Sequence, residues 1–134
     1  MASAYFNRGK VEFLNGNIDL VNDTIKVAKM ATSYTPNIDS DEYYDDISSS
    51  ALGTDQTLGT KTITKNDTDD AADFDAADTS ETNQTLTTDK VVYYKDTGTP
   101  ATSPLIAYAD LDTTHSPVDG DFDITFNTRG VFAF

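Results

Sequence analysis

The sequence predicts a mainly β fold: a single-domain antiparallel β-sandwich or barrel with one or two short helices. Three observations carry this. Residues 120–127, "GDFDITFN", alternate strictly, with Phe122, Ile124 and Phe126 on one side and Asp121, Asp123 and Thr125 on the other. That is the pattern of a strand with one wet face. Apolar runs recur at 90–95, 105–111, 121–126 and 130–134, separated by glycine, proline and polar turn residues. Threonine is abundant, and its branched side chain suits a pleated surface. At 134 residues the chain spans one domain, 1–134, since this length makes one core rather than two.

Taken in order, the chain opens with a short helix within residues 1–16, with apolar positions at Tyr5, Phe6, Val11, Phe13 and Leu14 and a turn at Asn15-Gly16. Extended segments follow at 18–20 and 24–30, joined tightly at Asn22-Asp23. In 24–30, Ile25 and Val27 point inward while Lys26 and Lys29 stay in water. Pro36 breaks the pattern. Residues 37–48 carry one or two helical turns, with Asp39 or Ser40 as N-cap and Tyr43, Tyr44 and Ile47 on one side. Residues 48–60 are poor in large apolar side chains and read as loop. A strand at 61–65 turns Ile63 inward. The region of about 66–84 reads as an exposed acidic loop around a short strand at Phe74. In 91–111, two strands flank a joint holding Gly98, Pro100 and Pro104.

Charge sets strong bounds. Nine basic residues stand against 23 acidic ones, a net of −14. This argues against nucleic acid, whose backbone is bound by clustered Lys and Arg, and against anionic lipid. High like charge also keeps a crowded protein dispersed. There are no cysteines, hence no disulfide and no thiolate metal site. The N-terminus lacks the apolar run of a signal peptide, and no segment approaches the roughly 20 apolar residues of a membrane-spanning helix. A soluble protein without a membrane partner is expected.

No motif carries catalysis. Asp119, Asp121 and Asp123 begin like a calcium loop, but its sixth position is Ile124 where glycine is needed, and its twelfth is Gly130 where a chelating glutamate is needed. Asp67, Asp69, Asp70, Asp73, Asp75 and Asp78 read as a solvated acidic loop, so neither metal nor cofactor is expected. With this many acids, pairs suited to glycoside hydrolysis arise by chance. His115, the one histidine, sits in a turn-like stretch without a cysteine partner. The acceptor patterns at Asn22, Asn66 and Asn83 are those a threonine-rich chain makes by chance. The expectation is a non-enzymatic protein.

Several segments together carry a resemblance: "AYFNRGKVEFLNGNIDLVNDTIKVAKM", "YTPNIDSDEYYDDIS", "FDAADTS", "VVYYKDTGTPATSPLIAYADL" and "GDFDITFNTRGVFAF". In order and spacing they resemble a family of small tailed-bacteriophage virion proteins, most specifically in "YKDTG…SPLIAY". The segment "ADFDAADTS" departs from that pattern, being more acidic and richer in alanine. The resemblance implies a capsid decoration, or cement, protein on the outer capsid surface, assembled in the host cytoplasm. It would be a homo-oligomer, a trimer in first place, with the major capsid protein as partner. A tail, neck or tube component and a carbohydrate-binding module on the particle surface are the alternatives. Residues 1–30 carry a net charge of +1 and the rest −15. The N-terminal segment, with Tyr5, Phe6, Arg8 and Lys10, is therefore the predicted capsid-attachment surface, and the loop at 67–78 the solvent face.

Overall fold

A computed structural model describes residues 3–127 and 129–134. The fold is mainly β, 48% strand and 14% helix, as the sequence predicts. Its main layer is a five-stranded antiparallel sheet in the order β1 (Ser3–Tyr5), β8 (Leu105–His115), β7 (Thr88–Lys95), β2 (Ile25–Ala31), β3 (Ala51–Thr57). A three-stranded sheet, β10 (Phe132–Ala133), β5 (Ala71–Asp75), β4 (Thr62–Asn66), and a two-stranded ribbon of β6 (Thr79–Gln84) and β9 (Gly120–Ile124) complete the strands among the described residues. Helix α1 (Asn7–Leu14) follows β1, and the single-turn α2 (Tyr44–Ile47) precedes β3.

β2 and β7 lie at the centre of the main sheet and are buried on both faces. Ile25, Val27, Val91 and Tyr93 point to one core, which Phe74 of β5 and Ile18 and Leu20 of the α1–β2 loop help close. Ala28, Met30, Val92 and Tyr94 point to a second core, closed by Phe6 and by Ile47 of α2. Two covered faces explain why residues 91–94 of β7 read as a continuous apolar run and not as alternation. Each fully buried large side chain contributes about 1.5–3 kcal/mol of burial free energy.

The row Ile25, Val27, Lys29 places a lysine on the first face. Lys29 is 1% exposed, and its Nζ pairs with the carboxylate of Glu81 on β6, itself 8% exposed. The ammonium also donates to the Thr54 carbonyl at 2.9 Å, Gln56 Nε2 donates to Glu81 at 2.6 Å, and the Phe122 ring of β9 lies 5.9 Å from Nζ. This network ties the ribbon to the main sheet.

Helix α1 runs against the β8 edge, where Phe6 N–H extends the β1–β8 ladder by donating to Ile106 O at 2.9 Å. The approach is close because residue 9 is glycine. A Cβ there would stand 2.6 Å from Leu105 O and 3.0 Å from the Ile106 Cα.

Several expectations are corrected. Residues 51–57, read as loop, form edge strand β3, held by backbone pairing to β2 and hence in need of few large apolar side chains. The 66–84 region holds two strands, β5 and β6, and only the turn between β4 and β5 is an exposed acidic loop. Residues 18–20 are not a strand. Helix α2 starts after Tyr43 and not at Asp39 or Ser40, because Asp41 folds back onto Asn37 in a separate turn. Lys29 is buried, its charge met by Glu81. Ile63 pairs directly opposite Phe74, yet β4 is the outer strand and leaves it 52% exposed.

Tyrosines fasten the second face. Tyr34 donates to Asp41 and Tyr94 to Asp55, both at 2.7 Å, and Tyr44 stacks on Tyr94 with centroids 4.4 Å apart. Burial first, then the neighbouring carboxylates, pushes the hydroxyls of Tyr34, Tyr44 and Tyr94 well above their ordinary pKa of 10.0, and burial does the same to Tyr93. A raised folded-state pKa gives stability that is complete below the unfolded value and is lost as pH rises past it. In an alkaline titration these four tyrosines should keep their protons until the chain unfolds, so that most phenolate absorbance appears with loss of the β circular-dichroism signal. A smooth titration of all seven tyrosines centred on their ordinary pKa in the folded chain would contradict this.

The Lys29–Glu81 pair yields a second test. Lys29→Met or Glu81→Gln alone strands a buried charge and should cost about 3–5 kcal/mol in denaturant unfolding. Lys29→Met combined with Glu81→Leu should recover most of that loss. If the double variant is no better than the worse single one, the pair does not act as a unit.

Candidate docking surface

The outer face of α1 does not follow the usual rule. Residues 7, 10, 11 and 14 share one side at helical spacing, and that side faces solvent: Asn7 and Lys10 are exposed, Val11 is 46% exposed and Leu14 89%. The buried side carries Gly9. The helix is thus held to β8 by backbone proximity, leaving its large aliphatic residues outside.

Beyond the helix lies an open apolar cleft of about 520 Å³, lined by Phe13, Ile18, Leu20, Ile63, Ala72 and Phe134, with Asp19 as its one charged residue. Phe134 is 52% exposed and firmly placed. Its N–H and C=O exchange 3.0 Å hydrogen bonds with Ala72, and its ring stacks on Tyr5 at 4.7 Å and meets Phe13 edge-on at 5.0 Å. Tyr5 in turn donates its hydroxyl to Ala133 O at 2.5 Å. Leu14 adjoins Phe13 in sequence at the end of α1. Exposed apolar surface of this kind is a candidate contact site.

The predicted attachment residues fall differently. Phe6 is 0% exposed and packs within the second core against Tyr108, so it cannot anchor a partner. Tyr5 is half-buried in the Phe132–Phe134 cluster and supports the patch from beneath. Arg8 is committed internally: it pairs with Glu42 at 2.9 Å and Glu12 at 3.5 Å and lies 5.1 Å over the Tyr43 ring. The hydrogen bond to Glu42 leads in raising its pKa. Lys10 is exposed and bonds only weakly, to Asn7 Oδ1 at 3.2 Å, so its charge remains on offer. Val11, Leu14, Ile63 and Phe134 were missed as surface residues. The available signal was Gly9, which marks the close-packed side of the helix and so turns Val11 and Leu14 outward.

The acidic clusters are tied up in local contacts. Asp73 accepts from Asn66 at 2.8 Å and pairs with Arg129 at 3.0 Å, in that order of effect holding its carboxyl below the usual range. Asp119, Asp121 and Asp123 lie on the wet side, Asp123 accepting from Ser80 Oγ. Among the described residues no group of three or more His, Asp or Glu is arranged to hold a metal, and no helix is long and apolar enough to cross a membrane. Compared with protein-family models, curated proteins and solved structures, the chain finds no match.

Core and surface assignments on this segment separate in one experiment. Phe6→Ala should cost about 3–5 kcal/mol, whereas Leu14→Ala should change stability by no more than about 0.5 kcal/mol. Equal losses in urea unfolding would place Leu14 in the core.

Proposed function

We propose that this chain is a non-enzymatic virion protein that decorates the outer capsid of a tailed bacteriophage, docking on the major capsid protein. One observation carries the docking part: an ordered apolar cleft, half of it lined by Phe13, Ile18 and Leu20 of the least acidic segment, lies beside the end of α1, whose exposed face carries Lys10, Val11 and Leu14, in a chain of net charge −14. An apolar centre holds a complex, while the adjacent charge sets its register and rate of encounter. The acidic remainder suits a solvent-facing surface. The particle and its shell come from the sequence resemblance, as does assembly as a trimer.

The reading is tested by mixing purified protein with particles that lack it and counting bound copies. Wild-type chain should saturate sites spread over the shell. Leu14→Asp with Lys10→Glu should fold normally and leave occupancy at least tenfold lower. Full occupancy by that folded variant would overturn the docking face. A few copies confined to one vertex would overturn decoration in favour of a neck or tail component.

A further inference from the structure

We propose that a second, polar cleft between α1, the end of β7 and the 97–104 turn binds a saccharide that carries no anionic group. The cleft measures about 450 Å³, within the range of small-ligand sites, and is lined by Glu12, Asn17, Tyr43, Lys95, Thr97 and Thr102, with Ala101 and Pro104. Unlike the apolar patch, it combines an aromatic ring with hydrogen-bonding groups of both kinds.

Its walls are fixed. Tyr43 forms an isolated bridge with Pro104, Tyr44 N–H donates to Ser103 O at 2.9 Å, and Leu105 N–H donates to Glu42 O at 2.9 Å. Thr97 and Thr102 share a 2.7 Å hydroxyl contact, and Arg8 holds the Tyr43 ring from one side at 5.1 Å. Asn17 Nδ2 donates to Glu12 at 2.7 Å, while Lys95 Nζ donates to Asn17 O at 2.7 Å and pairs with Asp23 at 2.9 Å. Such bonds orient the polar groups before any ligand arrives, which lowers the entropic cost of binding.

They do not exhaust the groups. An ammonium has three N–H donors and Lys95 uses two; a carboxylate has about four acceptor positions, and Glu12 uses two, for Asn17 and Arg8; the Thr97 and Thr102 hydroxyls, by contrast, are taken up within the turn by each other, Thr99 O and Ser103 Oγ, and shape the wall. Alternating donors and acceptors around an aromatic ring match a molecule whose hydroxyls do both and whose ring carbons present C–H groups. That molecule is a sugar. It should not be anionic, because Glu12 and the overall charge of −14 repel carboxylated, sulfated and phosphorylated ligands. A single carboxylate in the lining makes this a binding site, since glycoside hydrolysis needs two across the scissile bond.

The test is an amide-shift NMR titration of the full chain with the methyl glycosides of glucose, galactose, mannose and N-acetylglucosamine, each up to about 20 mM, well above the ~1 mM Kd of a weak site. At least one sugar should give saturable shifts centred on Asn17, Thr97, Ala101 and Thr102. Ala101→Trp, which fills the cleft without removing a polar group, should abolish them. Glu12→Gln, which keeps size and removes charge, should weaken binding about tenfold, a loss of ~1.4 kcal/mol. Absence of saturable shifts with all four sugars overturns the proposal, as does binding that survives in folded Ala101→Trp. Neither outcome bears on particle docking, which uses the other face of α1.

Discussion

A lysine carried into the interior between two β layers needs an anion there, and in this protein the anion comes from the opposite layer. Lys29 belongs to the inward row of β2, and Glu81 reaches it from β6 across the interface. Much of the local architecture serves this contact. The β2–β3 ladder shifts register between Val27 and Lys29, and Gly53, at φ +64°, lies within ordinary contact of the Lys29 side chain, where a Cβ would sit 3.7 Å from its Cε. Thr54 and Gln56 then supply the remaining acceptor and donor. A half-satisfied buried charge costs several kcal/mol, so the ribbon has one low-energy seat on the sheet. Apolar replacements of both partners can be as stable as such a pair, so its contacts need not add net stability.

Of the large apolar residues left exposed, Ile63 and Phe134 line the cleft where the C-terminal strand, the outer strand β4 and the end of α1 meet, whereas Val118 lies apart in the β8–β9 loop. Order there comes from the aromatic contacts of Tyr5, Phe13, Phe132 and Phe134 and from the backbone pairing of Phe134 with Ala72. The patch is therefore rigid before contact, and a partner would lose little entropy in ordering it. A rigid scaffold presenting two unlike surfaces, one apolar and one polar, fits a role in binding.

The sequence made β7 and β8 legible because they are long, largely apolar and joined through Gly98, Pro100 and Pro104, and β2 legible through its strand-like spacing between Asn22-Asp23 and Pro36. Alternation at Phe122 and Ile124 was legible through the period of two, the geometry of the strand itself, although β9 ends at Ile124, short of Phe126. Edge strands were harder. β3 is held by backbone hydrogen bonds, which leave little trace in side-chain pattern, and 51–57 consequently looked like loop. Lys29 illustrates a conflict of rules: spacing placed it inward and charge placed it outward, and the arbiter, Glu81, lies 52 residues away in the chain. The exposed apolar patch was invisible for a related reason. Apolar side chains default to the core, and only the depth at which Gly9 seats α1 decides that Leu14 does not.

Central to this account is that the buried ion pair makes the β6–β9 ribbon part of one cooperative unit with the main sheet. Native-state hydrogen exchange over a series of low denaturant concentrations measures this directly, by giving an opening free energy for each amide. Ribbon amides, such as those of Glu81 and Phe122, should converge on the same opening free energy as the central amides of Val92 and Ala28. A ribbon that opens several kcal/mol below the sheet, with its own shallow denaturant dependence, would contradict the account.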